Sequence, residues 1–243
     1  MNKTVLITGA SRGIGAAAAK AFAKEGYNLI LICKNNIDKL NEIAKETRIY
    51  NTTVHTIQCD VSSPTDIENI LKPYLISNNL MPDILVNNAG ISHIGLLQDL
   101  SYEEWDNILD TNLKSMFMLS KLVIPSMVNK KYGRIINISS MWGNVGASCE
   151  VAYSASKGGV NTFTKALAKE LAPSGISVNA IAFGVIDTEM NQFLSKEDRE
   201  ALAEEIPAGR FGSAIEAADM IVNIANTPIY MTGQIITMDG GMI

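Results

Sequence analysis

Seven short apolar runs punctuate the chain, and longer segments with helical spacing lie between them. The runs are TVLIT (4–8), NLILIC (28–33), TVHTIQC (53–59), DILVN (83–87), RIINIS (134–139), SVNAIA (177–182) and QIITMD (234–239). Most are apolar and β-branched along their whole length. A strand with one wet face would interleave polar residues, so this pattern predicts parallel strands covered on both faces. Helices are predicted over 13–25, 36–48, 64–77, 101–128, 152–172 and 214–225. Ser101 ahead of a glutamate pair and Pro64 in a first turn are helix-start signals. Regular strand–helix alternation implies right-handed crossovers and a doubly wound α/β sheet. No linker, repeat or low-complexity tract divides it. Residues 1–243 are therefore expected to form one Rossmann-like domain, a seven-stranded parallel sheet with helices on both faces. The stretch 183–212 reads as irregular. A loop that long in a compact domain tends to shape a binding site.

Composition narrows the classes. Hydrophobic residues are 47% and charged residues 19%, the balance of a globular protein. The net charge of −5, with no lysine–arginine block, gives no electrostatic reason to expect nucleic acid or an anionic membrane as partner. No run approaches the ~20 apolar residues of a membrane span. The apolar run at the start is too short for a secretory leader. Cys33, Cys59 and Cys149 are scattered and unpaired in spacing, which suits a reducing compartment and a cytoplasmic location. Only two histidines, His55 and His93, are present, so no metal site is expected.

The first strand runs into TGASRGIG (8–15), which opens the first helix. Gly9, Gly13 and Gly15 would let the backbone turn tightly and approach a pyrophosphate, and the helix N-terminus offers free N–H groups to an anion. An acid at the end of the second strand holds the adenosine ribose in many such folds. Here Cys33 takes that place, followed by Lys34, with Arg12 in the glycine loop. Two cations and a missing carboxylate suit a 2′-phosphate, so the cofactor is read as NADP(H). Tyr153 and Lys157 stand four apart, on one face of a predicted helix made largely of small residues.

Together, TGASRGIG, NNAG (87–90), Asn112 in DTNL, Ser140 in INISS and Tyr153-x-x-x-Lys157 make the chain similar to the short-chain dehydrogenase/reductase family, over essentially its whole length. Within that family, IPAGRFG (206–212) and YMTGQIITMDGG (230–241) most resemble 3-oxoacyl-acyl-carrier-protein reductases. The resemblance implies an oxidoreductase that reduces a ketone, here a 3-oxoacyl thioester of fatty acid synthesis, with acyl carrier protein as a partner. Tyr153 would be the general acid. Lys157 would lower its pKa and hold the nicotinamide ribose; a downward move of ~3 units requires about 4 kcal/mol, which the ammonium and a bound cationic nicotinamide could supply together. Ser140 would hold the carbonyl, with its neighbour Ser139 as the competing candidate. Asn112 would bend its helix and help hold a proton-relaying water. By the same resemblance Ser11, Arg12, Gly13, Ile14 and Gly15 would cradle phosphates. Asp60 and Val61 would flank adenine, and Asn87, Ala89 and Gly90 would approach the adenosine ribose. Ile186 and Thr188 would meet the nicotinamide.

Family members often pair the 101–128 and 152–172 helices across a twofold axis, which implies a homotetramer or homodimer. His93 reads as a surface-loop residue. Two departures stand out. Phe183 replaces a family proline. Lys130 and Lys131 could serve a carrier protein at the cleft entrance, but Ser174 stands where some relatives carry arginine. The segment WGNVGASCEVAYSASKGG also resembles reductases proposed to act on a 5-aminopentanone group of elongation factor P, a second substrate reading. A silent NADP(H)-binding sensor or scaffold is the alternative of a different class; the four intact polar positions argue against it.

Overall fold

The computed structural model describes residues 2–192 and 194–243. In chain order its main elements are β1 (Thr4–Thr8), α1 (Gly13–Lys24), β2 (Asn28–Cys33), α2 (Ile37–Arg48), β3 (Val54–Gln58), α3 (64–77), β4 (Ile84–Asn87), α4 (102–130), β5 (Gly133–Ser140), α5 (Val151–Leu171), β6 (Ile176–Phe183), α6 (Lys196–Glu205), α7 (Ala214–Asn226) and β7 (Ile235–Met238). Two helices contain a π turn, Ile67–Leu71 in α3 and Asp110–Lys114 in α4. The seven strands form one sheet in the order β3-β2-β1-β4-β5-β6-β7, parallel throughout.

The apolar runs explain why the sheet is sandwiched. Alternate residues of one strand enter opposite cores: Val5 and Ile7 pack with α1, α2 and α7, while Leu6 packs with α3, α4 and α5. Leu29 and Leu31 join the first core, Ile30 and Ile32 the second. A strand wet on one face could not carry this sequence without exposing every second side chain. Serine–glutamate capping boxes start α4 at Ser101 and α7 at Ser213, each closing two otherwise free amides.

Strand order reverses between β1 and β4. Helices leave the sheet in opposite directions there, and a crevice opens beyond the carboxyl ends of the strands. Parallel register brings Thr8, Asn87 and Ser140 to that one edge. Among the described residues, no helix is long and apolar enough to cross a membrane, and no group of three or more His, Cys, Asp or Glu side chains could hold a metal ion.

The stretch 183–212 is less irregular than its sequence suggests. Helix α6 occupies Lys196–Glu205, and Ile186–Asp187 pairs in parallel with Gly212–Ser213. KEDREALAEE has no apolar stripe, and none of its residues is buried. Periodicity therefore carries no signal; the legible cue was Ser195, which accepts from the Asp198 amide at 3.0 Å as an N-cap. Phe183, in place of the family proline, is the last residue of β6, paired with Ser140 and Met238 and buried.

The layering predicts where stability resides. Leu31→Ala, deleting a fully buried side chain, should cost about 2–5 kcal/mol. Ile49→Ala, at a residue 72% exposed, should stay within about 0.5 kcal/mol of wild type. Urea midpoints measure both, and similar losses would contradict this placement of the core.

Candidate active site

The edge crevice is a cleft of about 870 Å³, walled by the ends of β1, β2, β4, β5 and β6 and roofed by residues of the 184–202 segment. Its floor is the glycine loop. Gly9 and Gly13 both have positive φ, 65° and 54°. A Cβ on Gly9 would lie 3.1 Å from the Ala89 backbone, so β1 and β4 can meet this closely only with glycine there. Gly15 does something else. It is not in the cleft wall; a Cβ there would run into the Gly9 carbonyl, so its role is to let α1 pack against the loop. Asn88, which sequence reasoning passed over, fastens this corner: its amide donates to the Thr8 carbonyl at 2.8 Å and to the Gly9 carbonyl at 3.3 Å.

At the adenosine end, Cys33, Lys34, Asn35, Asn36 and Lys39 line the wall after β2, with Asp60 and Val61 opposite. Lys34 pairs with Asp60 at 2.7 Å, and the carboxyl of Asp60 is held below its usual range by Lys34 and Ser62, against the push of burial. Cys33 is buried and its thiol is raised by that burial. Ser11, Arg12, Gly13, Ile14, Ala89, Gly90, Ile186 and Thr188 also line the cleft.

The catalytic candidates converge at the other end. Tyr153 and Lys157 sit one turn apart on α5, both in the wall with Ser140. Tyr153 lies beside Ser140, which favours the charged form of the phenol, and Ser140 Oγ accepts from the Trp142 amide at 3.2 Å. The Ser139 hydroxyl instead donates to Asn161 at 2.6 Å, which leaves Ser140 as the one facing Tyr153. Lys157 is 3% exposed, lies with Nζ 5.5 Å from the Tyr153 ring centroid, and donates to the Ile138 carbonyl at 2.8 Å.

The expected lowering of the tyrosine pKa is absent in the free chain. Burial by the cleft walls pushes the phenol up to about 12, with neighbouring Ser140 opposing and the Glu150 charge adding. Burial also draws Lys157 down to about 8. Burial is the largest influence on the phenol, and Lys157 is not among the groups that shift it in the free chain.

Two further expected residues lie behind the wall. Asn87 is buried and donates to Asn137 at 2.8 Å across β4 and β5, a same-face pair set by strand register. Asn112 stands in the π turn of α4, its carbonyl oxygen accepting from the Ile91 amide at 2.8 Å and its amide donating to the Ile91 carbonyl and Ser156. Its side chain thus positions the strand-end loop and Ser156. Lys130 is at the wrong end for the cleft entrance. It pairs with Asp83 at 2.9 Å, ahead of β4, because α4 runs antiparallel to the strands. Lys131 and Ser174 share that amino-terminal end. His93 is partly exposed near Glu104 and does not line the cleft.

Glu150 is the acid that sequence reasoning missed. It precedes α5 but makes no cap bond, and its carboxylate lines the cleft. Asp60 and Glu189, the other wall carboxylates, pair with lysine or arginine; Glu150 has no such partner among the described residues. Burial raises its pKa, while the Trp142 side chain favours the charged form.

A glycine cradle, a switch-point crevice and a tyrosine–lysine pair facing a strand-end serine define a nicotinamide-dependent oxidoreductase. The short chain dehydrogenase family model matches residues 3–199, and the chain belongs to that family. It is 39% identical to an uncharacterized oxidoreductase, YmfI, of Bacillus subtilis, over 99% of each chain. It is 38% identical to the 3-oxoacyl-[acyl-carrier-protein] reductase FabG of Escherichia coli, over 99% of this chain and 97% of that one. A crystal structure of an Agrobacterium tumefaciens protein, provisionally assigned as a gluconate dehydrogenase, superposes with a TM-score of 0.92 at 33% identity, covering 99% of this chain and 95% of that one.

The buried ammonium has a signature in stability. Lys157 binds its proton less tightly folded, about 8, than unfolded, 10.5, so its charge disfavours the folded state fully below pH 8. That penalty, on the order of 3 kcal/mol at most, should fade as pH rises from 8 to 10.5. Urea unfolding of wild type and Lys157→Met across this window should show wild type gaining on the variant. A constant difference would contradict the buried charge.

Proposed function

We propose that this protein reduces a ketone to a secondary alcohol with NADPH, Tyr153 giving the proton. The observation that carries the reading is Tyr153 and Ser140 side by side, with Lys157 Nζ 5.5 Å from the same ring, in the cleft that holds the glycine loop. The cradle fits the cofactor: Gly9 and Gly13 turn with positive φ at the cleft floor, and Ser11, Gly13, Ala89 and Gly90 line the wall that leads to Lys157. The bound nicotinamide dinucleotide supplies hydride to the carbonyl carbon. Ser140 Oγ holds the carbonyl oxygen in place. Negative charge develops on that oxygen, and a fixed donor there is most useful when water is excluded. Tyr153 Oη passes its proton to the oxygen and becomes tyrosinate. Lys157, fixed by the Ile138 carbonyl, is the only cation in reach of that anion among the described residues of the wall at this end. The nicotinamide is cationic only in its oxidised form, so the second positive charge that would lower the phenol's pKa would arise as hydride leaves, when the proton is needed. Arg12 and Lys34 beside Cys33 support NADPH over NADH, since a carboxylate at Cys33 would repel the 2′-phosphate.

Two substrate readings have support. The 3-oxoacyl-acyl-carrier-protein reductase relatives favour a 3-oxoacyl thioester, and Ile94, Met190, Leu194 and Leu202 give the cleft an apolar side for an acyl chain. The second reading, a 5-aminopentanone group, is favoured by Glu150. An unpaired carboxylate a turn before the proton donor offers a cation subsite, and a substrate ammonium would satisfy it. That ammonium would also offset the charge that raises Tyr153. For oligomerisation, Leu113, Phe117 and Phe163 form an apolar groove between α4 and α5, and Phe117 is 50% exposed. This supports pairing through these helices, as in a homotetramer.

Tyr153→Phe should fold and bind NADPH but lose roughly 10²–10⁴ in kcat/KM on any accepted ketone. Near-normal turnover would place the proton donor elsewhere. Glu150→Gln separates the substrate readings. It should cost amino-ketone turnover about tenfold or more and spare acetoacetyl thioesters if the ammonium reading holds. Equal effects on both substrates would remove Glu150 from recognition.

A further inference from the structure

Glu189 reaches the adenosine corner from the segment after β6. Its carboxylate bridges two cations from different elements: Oε2 is 3.3 Å from Arg12 Nη1 in the glycine loop, and Oε1 is 2.5 Å from Lys39 Nζ in the first turn of α2. All three residues line the cleft beside Cys33 and Lys34. Arg12 and Lys34 are the cations assigned above to the cofactor's 2′-phosphate; Lys39 has no assigned role.

We propose that Glu189 is an internal stand-in for the 2′-phosphate, occupying Arg12 and Lys39 in the free enzyme and competing with the phosphate for them. Lys39 is then a third phosphate ligand. The inference rests on the NADP(H) reading and goes beyond it. Charge supports the exchange. Arg12, Lys34 and Lys39 against Asp60 and Glu189 leave the corner one net positive charge. With Glu189 turned away, two remain. A phosphate monoester carries about −1.5 to −2 near neutrality, so the vacated corner matches it and the occupied one does not. Lys39 and Arg12 hold the Glu189 carboxyl below its usual range, so it stays charged wherever the enzyme works. The bonds are also easy to exchange. Arg12 is 65% exposed and Lys39 40%, and exposed ion pairs contribute little individually. A phosphate with three acceptor oxygens can replace one carboxylate without a large barrier. Ligands that lack the 2′-phosphate leave the bridge in place.

The test is a set of binding titrations on the full-length protein, with adenosine 2′,5′-bisphosphate and AMP by calorimetry, and NADPH and NADH by fluorescence. Wild type, Glu189→Gln, Lys39→Gln and the double variant are compared at one low ionic strength. Glu189→Gln should tighten the bisphosphate and NADPH roughly two- to fivefold and leave AMP and NADH unchanged. Lys39→Gln should weaken only the two 2′-phosphorylated ligands, and in its background the gain from Glu189→Gln should shrink. If wild type prefers NADPH but Glu189→Gln leaves all four affinities alone, or moves them equally, the stand-in role is wrong and the NADP(H) reading survives. A wild type that binds NADPH no better than NADH would overturn both.

Discussion

A buried hydrogen bond from Lys157 Nζ to the Ile138 carbonyl sets the reactive end of this molecule, with the Ser139–Asn161 bond beside it joining the same helix and strand. It ties the middle of α5 to the last turn of pleat in β5. Tyr153 is then fixed one helical turn before the anchor, and Ser140 two residues beyond the carbonyl. An ammonium buried this deeply is unfavourable unless it is hydrogen-bonded, and the sheet supplies the acceptor at the one edge where parallel strands all end. The rest of the architecture keeps that edge in place. Apolar strands demand cover on both faces, cover demands crossovers, and crossovers send every strand the same way.

The cleft is also an electrostatic compromise. Its catalytic end holds an ammonium, a phenol and an unpaired carboxylate within a few residues of one another, and burial works against the charged form of each. Its adenosine end holds cations already paired with Asp60 and Glu189. The free chain thus keeps only one net positive charge at one end and is poorly tuned for proton transfer at the other. Both ends improve only when ligands bring charge of the right sign. An enzyme arranged this way would hold its phenol protonated until the ternary complex forms.

Most of this was legible from residues alone where the residue type has only one use. An apolar β-branched run must be a covered strand, and TGASRGIG after such a run must turn tightly. All seven strands appear within about two residues of their expected bounds because burial set them. What was hidden depended on direction. Asn87 and Gly15 belong to the right motifs, but strand register turns one into the sheet and helix packing turns the other away from the cleft. Lys130 is a cation near a helix end, and only the antiparallel run of α4 shows that it is the far end. Helix α6 has no buried face, so no periodicity announced it. Nothing in the sequence singles out Glu150; that it makes no cap bond and lines the cleft is a three-dimensional fact.

The central claim is that Tyr153 donates the proton and is tuned by the loaded site and not by Lys157 alone. Ultraviolet difference titration of the tyrosinate band, wild type against Tyr153→Phe, reads that phenol directly, without and with saturating NADP+. The midpoint should lie above the ordinary 10 in the free protein and fall by about a unit or more with NADP+ bound. A midpoint already near neutrality in the free protein, or one that NADP+ leaves in place, would contradict that claim.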